Sequence, residues 1–175
     1  MLSNNLRTMP HRMGAGREHP QTHLMHIICI LGFIVVNVSD SVIFNFSTFL
    51  INFVPPLIRI ILCVIFLVIA LLFMKLSGNA VFPHNQEEKP LVKTGIFAYV
   101  RNPMYLGTPL IFIAFIFLTL SLISIIPTLI TMILFNNMVK FEEKELEKIF
   151  GQEYLEYKKK VPRWLPRLTP AKFED

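Results

Sequence analysis

The sequence predicts an all-α fold, an integral membrane helix bundle, and three observations carry that expectation. Of 175 residues, 53% are hydrophobic and 16 are Phe, well above the share in a soluble domain of this size. These residues gather into four continuous blocks, at about 24–44, 57–73, 104–122 and 123–139, and a helix needs roughly 20 apolar residues to cross the hydrocarbon core. The basic residues, finally, fall on alternate connections between the blocks, as the loops of a multi-spanning protein require.

The elements follow in order. Residues 1–23 carry Arg7, Arg12 and Arg17 and no apolar run, so they are expected to form a disordered basic tail. The block 24–44 has no small-residue cleavage pattern and reads as a first span. Residues 45–56 end in Pro55 and Pro56, which a helix accepts only at its start, so a turn precedes the second span at 57–73. A long polar loop, 75–103, contains glycine, proline, charges and His84; loops of this length usually have a function. The blocks 104–122 and 123–139 divide near Ser121 and Ser124, with Pro127 in the first turn of the second, and form a helical hairpin. From Lys140 the chain is charged, with Leu146, Ile149 and Phe150 at helical spacing. That pattern predicts a cytosolic amphipathic helix, broken at Gly151 and followed by a short helix at 153–160. Residues 24–175 thus read as one membrane domain.

Charge placement sets the expected orientation. Basic residues lie in the tail, in the long loop (Lys75, Lys89, Lys93, Arg101) and throughout the C-terminal segment, while the other two turns have only the nearby Arg59. The positive-inside rule then gives an even number of crossings with both termini cytoplasmic. The run Lys158 to Lys160 is suited to anionic lipid headgroups, not to nucleic acid, and Trp164 to the membrane interface. Cys29 and Cys63 sit inside apolar runs and read as small buried hydrophobes. His23 and His26 share a helix face without a third ligand, so no metal site is expected. Asp40, the one acid in or near the lipid core, falls toward the same end as Arg59, and the two are expected to pair.

The chemistry concentrates in two segments, LVKTGIFAYVRNPMYLG from Leu91 to Gly107 and EEKELEKIFGQEYLEYKKKVPRWLP from Glu142 to Pro166. Arg101 stands at the entrance to the third span, and Glu142 and Glu143 stand where the fourth leaves the membrane. A hairpin therefore brings base and acids to one depth. Pro103 at a helix start leaves amide donors that can receive an anion, and Leu91, Val92, Phe97 and Tyr105 can enclose an apolar group. Glu145 and Glu147, alternating with Lys144 and Lys148, read as a solvated helix face.

With an apolar hairpin between them, these two segments resemble the isoprenylcysteine carboxyl methyltransferase family and its phospholipid-methylating and bacterial relatives. The resemblance implies S-adenosylmethionine as cofactor, with contacts at Leu91, Val92, Phe97, Asn102, Pro103, Met104, Tyr105 and Glu142, and Arg101 and Glu143, the base and second acid at the same depth, are expected to bind it with them. Where the family has His, Tyr and a substrate-binding Arg, this chain has Asn102, Phe97 and Met138. The implied reaction is methyl transfer by direct displacement to a lipophilic small molecule or lipidated substrate that enters from the bilayer. Arg101 and Glu142 would position the reactants, and no residue is assigned as catalytic acid or base. Two other readings fit the same segments: an NADPH-dependent membrane reductase of the sterol-reductase type, and a non-catalytic membrane protein that retains the fold.

Overall fold

The computed structural model describes residues 22–81 and 91–173, and within them every regular element is helical. Most of the basic tail, together with His84 and Lys89 of the long loop, lies outside the described residues. Helix α1 (Thr22–Val38) continues through a wider, π-type turn, Ser39–Phe44, and ends at Asn45 in the left-handed conformation. A short turn at Phe49–Asn52 leads to α2 (Pro56–Val81). Then come α3 (Pro103–Thr119), α4 (Ile125–Phe150) and α5 (Gln152–Lys160).

Three stretches are long and apolar enough to cross a bilayer: Thr22–Phe44, Pro56–Gly78 and Leu122–Phe150. The expected third span is the exception, because α3 has only 17 residues. It stops at Thr119 and not at 122 because Leu120 turns left-handed, with φ 50° and its N–H on the Ile116 carbonyl. At 1.5 Å per residue α3 is about 25 Å long, a little short of the hydrocarbon core. The expected fourth span and the amphipathic helix are one continuous helix, α4, of 26 residues. Its length of about 39 Å exceeds the roughly 30 Å core by nearly two turns, so its charged end projects beyond the lipid.

Side-chain pairs fix the directions. Phe33 stacks on Phe112 with ring centroids 4.1 Å apart, and Asn37 reaches Thr119, so α1 and α3 run parallel. Phe66 stacks on Phe117, and Gly107 faces Met74 and Ala70, so α2 is antiparallel to α3. This crossing depends on the missing side chain: a Cβ at Gly107 would lie 2.5 Å from Met74 Cγ. Asn37 also bonds Ser124 while His26 meets Phe135, which makes α4 antiparallel to α1. The starts of α1 and α3 and the charged half of α4 therefore share one end of the bundle. In α2 most large side chains are exposed, as expected of a helix whose solvent is lipid.

At the opposite end Asp40 is buried, but its partners are not the expected one. Its carboxylate accepts the Ser47 amide at 3.0 Å, the Ser47 hydroxyl, and the Ser121 hydroxyl at 2.6 Å. Arg59 instead reaches the Leu118 carbonyl at 3.4 Å. The wide turn after α1 swings Asp40 inward to where the α3–α4 connection supplies hydroxyls, which satisfies the acid at less cost than burying a second charge. Asp40→Ala would leave three donors without their acceptor and is expected to cost about 1–3 kcal/mol. Thermal unfolding in detergent should show that loss, with ligand affinity at the other end unchanged.

Candidate functional site

The site forms where the starts of α1 and α3 meet the charged half of α4, and the tail after α5 folds across them. Counting from Ile125, Glu142 lies about 26 Å along α4, near the depth at which the helix leaves the hydrocarbon. Pro103 supplies the first residue of α3, as expected, and Asn102 precedes it. Asn102 does not cap the helix; its side-chain amide donates to Glu143 at 3.3 Å. The first-turn amides are thus not consumed by a side-chain cap, and the positive end of the helix dipole faces the site.

The two adjacent acids do different jobs. Glu143 is 2% exposed and lies among cations. Arg163 grips it with Nε at 3.0 Å and a terminal nitrogen at 2.6 Å, Arg101 stands at 3.5 Å and Lys158 at 3.9 Å. The hydrogen bond to Glu143 pushes the Arg163 guanidinium above its ordinary pKa. Glu142, one residue earlier, accepts the Tyr105 hydroxyl from α3. Tyr105 is 4% exposed and packs edge-on to Phe135 at 5.3 Å, with Cys29, Met138 and Val139 completing the cluster.

Arg101 is held from several sides. Its amide donates to the Pro162 carbonyl at 3.0 Å. The Tyr99 and Ala98 carbonyls likewise receive the amides of Arg167 and Ala171, so the tail is laced along the 98–101 strip. Below the strip, Tyr157 donates to the Phe97 carbonyl at 2.9 Å and packs with Tyr154 and Val161, and Leu91 lies against that cluster. Burial pushes the phenol pKa values of Tyr154 and Tyr157 well up, so both hydroxyls stay neutral. With its side chain 9% exposed, Arg101 turns one nitrogen to Glu143, while Nε and Nη1 are buried with no hydrogen-bond partner among the described residues. Buried guanidinium donors left open cost free energy. Donors of this kind can receive an anion.

Of the residues singled out from sequence, the structure brings together Arg101, Asn102, Pro103, Tyr105, Glu142 and Glu143. Leu91 and Phe97 belong to the adjoining Tyr157 layer, and Val92 and Met104 are half-buried beside them in sequence. Met138 is 6% exposed within the apolar cluster, so that position presents no charge. Trp164 is half-buried. It packs on that cluster and shares the Asn136 side-chain oxygen with Arg163, each at 3.2 Å. Arg163 and Asn136 were not legible as site residues: one stood among many tail cations, the other among apolar neighbours. Among the described residues no group of His, Cys, Asp and Glu is arranged to hold a metal ion.

Residues 57–153 match the phospholipid methyltransferase family. The chain is also similar to proteins named protein-S-isoprenylcysteine O-methyltransferase. The Xenopus laevis protein is 35% identical over 85 residues, 48% of this chain and 30% of that protein. The Mus musculus protein is 34% identical over 98 residues, 55% and 35% of the two chains, and the Saccharomyces cerevisiae protein 34% over 82 residues, 46% and 34%. The matched part thus spans about a third of each relative's length. No solved structure matches the chain. Because the family match covers more than half of the chain and includes Arg101, Tyr105, Glu142 and Glu143, this integral membrane protein belongs to the phospholipid methyltransferase family.

Proposed function

We propose that the protein transfers a methyl group from S-adenosylmethionine to a lipophilic or lipid-linked acceptor at the cytosolic face of a membrane. The observation that carries this reading is the pairing, in one site, of open Arg101 donors with a Tyr105-held Glu142. S-adenosylmethionine carries a carboxylate, an ammonium and a cationic sulfonium, so it needs an anion receptor and an acid side by side. The donor set fits both needs. Arg101, helped by the first-turn amides of α3, would take the carboxylate, and Glu142 would face the positive charges. Leu91, Val92 and Phe97, from the adjoining layer, would flank the adenosine, with Met104 near by.

Bound there, the cofactor supplies an electrophilic methyl group on a good leaving group. The chain's own contribution is to hold the reactants in line and exclude water, which can account for much of the rate of a displacement. Glu143 takes no direct part; locked to Arg163, it fixes Arg101 and Asn102 in place. The acceptor class follows from the relatives, which are named for prenylated cysteine, and from the family, named for phospholipids. Both acceptors carry an apolar tail that reaches the site sideways from lipid. The concentration of basic residues at the site's end of the bundle supports placing it, and both termini, in the cytoplasm.

Calorimetric titration of the purified protein in detergent tests the reading. Binding of S-adenosylmethionine but not of NADPH is expected. Binding of NADPH alone would favour a membrane reductase, and binding of neither would leave a non-catalytic membrane protein.

A further inference from the structure

The opposite end of the bundle carries a cavity of about 490 Å³ that the methyl-transfer reading leaves without a task. It lies between the last turns of α1, the wide turn that follows and the α3–α4 connection. Val35, Val36 and Ile123 make its wall mostly apolar, Phe44 and Phe46 add two aromatic rings, and Ser39 and Asp40 are its polar lining. Asp40 is 4% exposed, and the donors from Ser47 and Ser121 that hold its carboxylate are all neutral. They satisfy its oxygens and leave its unit charge in place. Arg59, the one basic residue near this end, is engaged with the Leu118 carbonyl. Among the described residues no cation pairs with Asp40.

From this arrangement we infer that the cavity is a second ligand site, independent of the methyl-transfer site, and that it takes an amphiphilic monocation, an apolar body carrying a single diffuse positive charge. A buried carboxylate balanced by no cation sets up a negative potential that low-dielectric walls screen little. A positive ligand is therefore drawn in and an anion repelled. The rings of Phe44 and Phe46 favour the same sign when a cation lies over them. Hard inorganic cations are disfavoured, because calcium and magnesium call for a shell of oxygen ligands and this lining is mostly apolar. A zwitterionic lipid headgroup fits poorly for another reason: its phosphate would bring a second negative charge beside Asp40. A lipophilic ammonium or phosphonium meets neither objection, and it can arrive through the bilayer, to which Phe44 and Phe46 are open at 72% and 81% exposure.

Tetraphenylphosphonium is the probe, and tetraphenylborate, of the same shape and opposite charge, is its control. In equilibrium dialysis of the purified wild type in dodecylmaltoside, the phosphonium should bind saturably above the micelle background, with one site per chain. The borate should neither bind saturably nor displace it. Asp40→Asn should weaken phosphonium binding by about tenfold or more, since it removes the one charge that selects the ligand. Val36→Trp fills the cavity from a residue that takes no part in the Asp40 hydrogen bonds, so it should abolish binding with a melting temperature close to wild type. As a ligand of the native state, the phosphonium should raise the melting temperature of the wild type and not that of Val36→Trp.

A wild type that takes up both ions alike, or neither, would overturn the inference without any variant. So would a folded Val36→Trp or Asp40→Asn protein that binds the phosphonium as tightly as wild type. S-adenosylmethionine should titrate equally with and without the phosphonium. Its failure to bind at all would remove the methyl-transfer reading and leave this second site standing.

Discussion

Glu143→Leu is expected to destabilise the protein by about 3 kcal/mol, the usual cost of removing one partner from a buried ion pair. Arg163 and Lys158, 24% and 36% exposed, can turn toward water when the carboxylate is gone. Arg101, at 9%, cannot, so most of the penalty is an uncompensated guanidinium held under the tail. For a chain of this size the loss corresponds to a fall of roughly 10 °C in melting temperature, read by thermal unfolding in detergent. A control separates burial from charge count: Glu145 pairs with Lys148 on the same helix, but Lys148 is 71% exposed. Glu145→Gln should therefore cost no more than a few tenths of a kcal/mol, as exposed i,i+3 pairs do. Equal melting temperatures for the two variants would show that Glu143 does not hold this end together.

Arg101→Met has the converse signature. Glu143 keeps Arg163 and Lys158, and the Arg101 amide keeps its bond to Pro162, so the fold should survive. Two buried charged donors, Nε and Nη1, are lost, and hydrogen bonds to charged groups are worth about 1.5–3 kcal/mol each. The affinity for S-adenosylmethionine should drop on the order of 100-fold, measured by calorimetry, with a melting temperature close to wild type. An Arg101→Met protein that binds the cofactor as tightly as wild type would show that these donors serve something else.

Much of this molecule was readable before any coordinates. The apolar blocks, the hairpin broken at Ser121 to Ser124, the stop at Gly151 and the short helix behind it follow from composition, proline placement and helical spacing. So did the meeting of Arg101 with the Glu142–Glu143 pair, because a hairpin returns its two ends to one side. The local features that escaped are those where a neighbour overrides the local rule. Leu120 accepts a left-handed backbone and shortens α3, because the connection beyond it is held by Asp40 and Ser47. Asn102 has the residue type of a helix cap yet spends its amide on Glu143.

By itself the sequence determined the class of solvent, the helical elements and the pair of segments that carry the chemistry, since hydropathy and periodicity act over a few turns of chain. Tertiary structure alone decided that Glu143 is locked among cations while Glu142 takes the Tyr105 hydroxyl. It also decided that Asp40 bonds hydroxyls and not Arg59, and that Arg163 and Asn136 join the site. Those outcomes depend on which side chains from distant segments meet in a low-dielectric space, where a difference of an ångström decides whether a charge is satisfied.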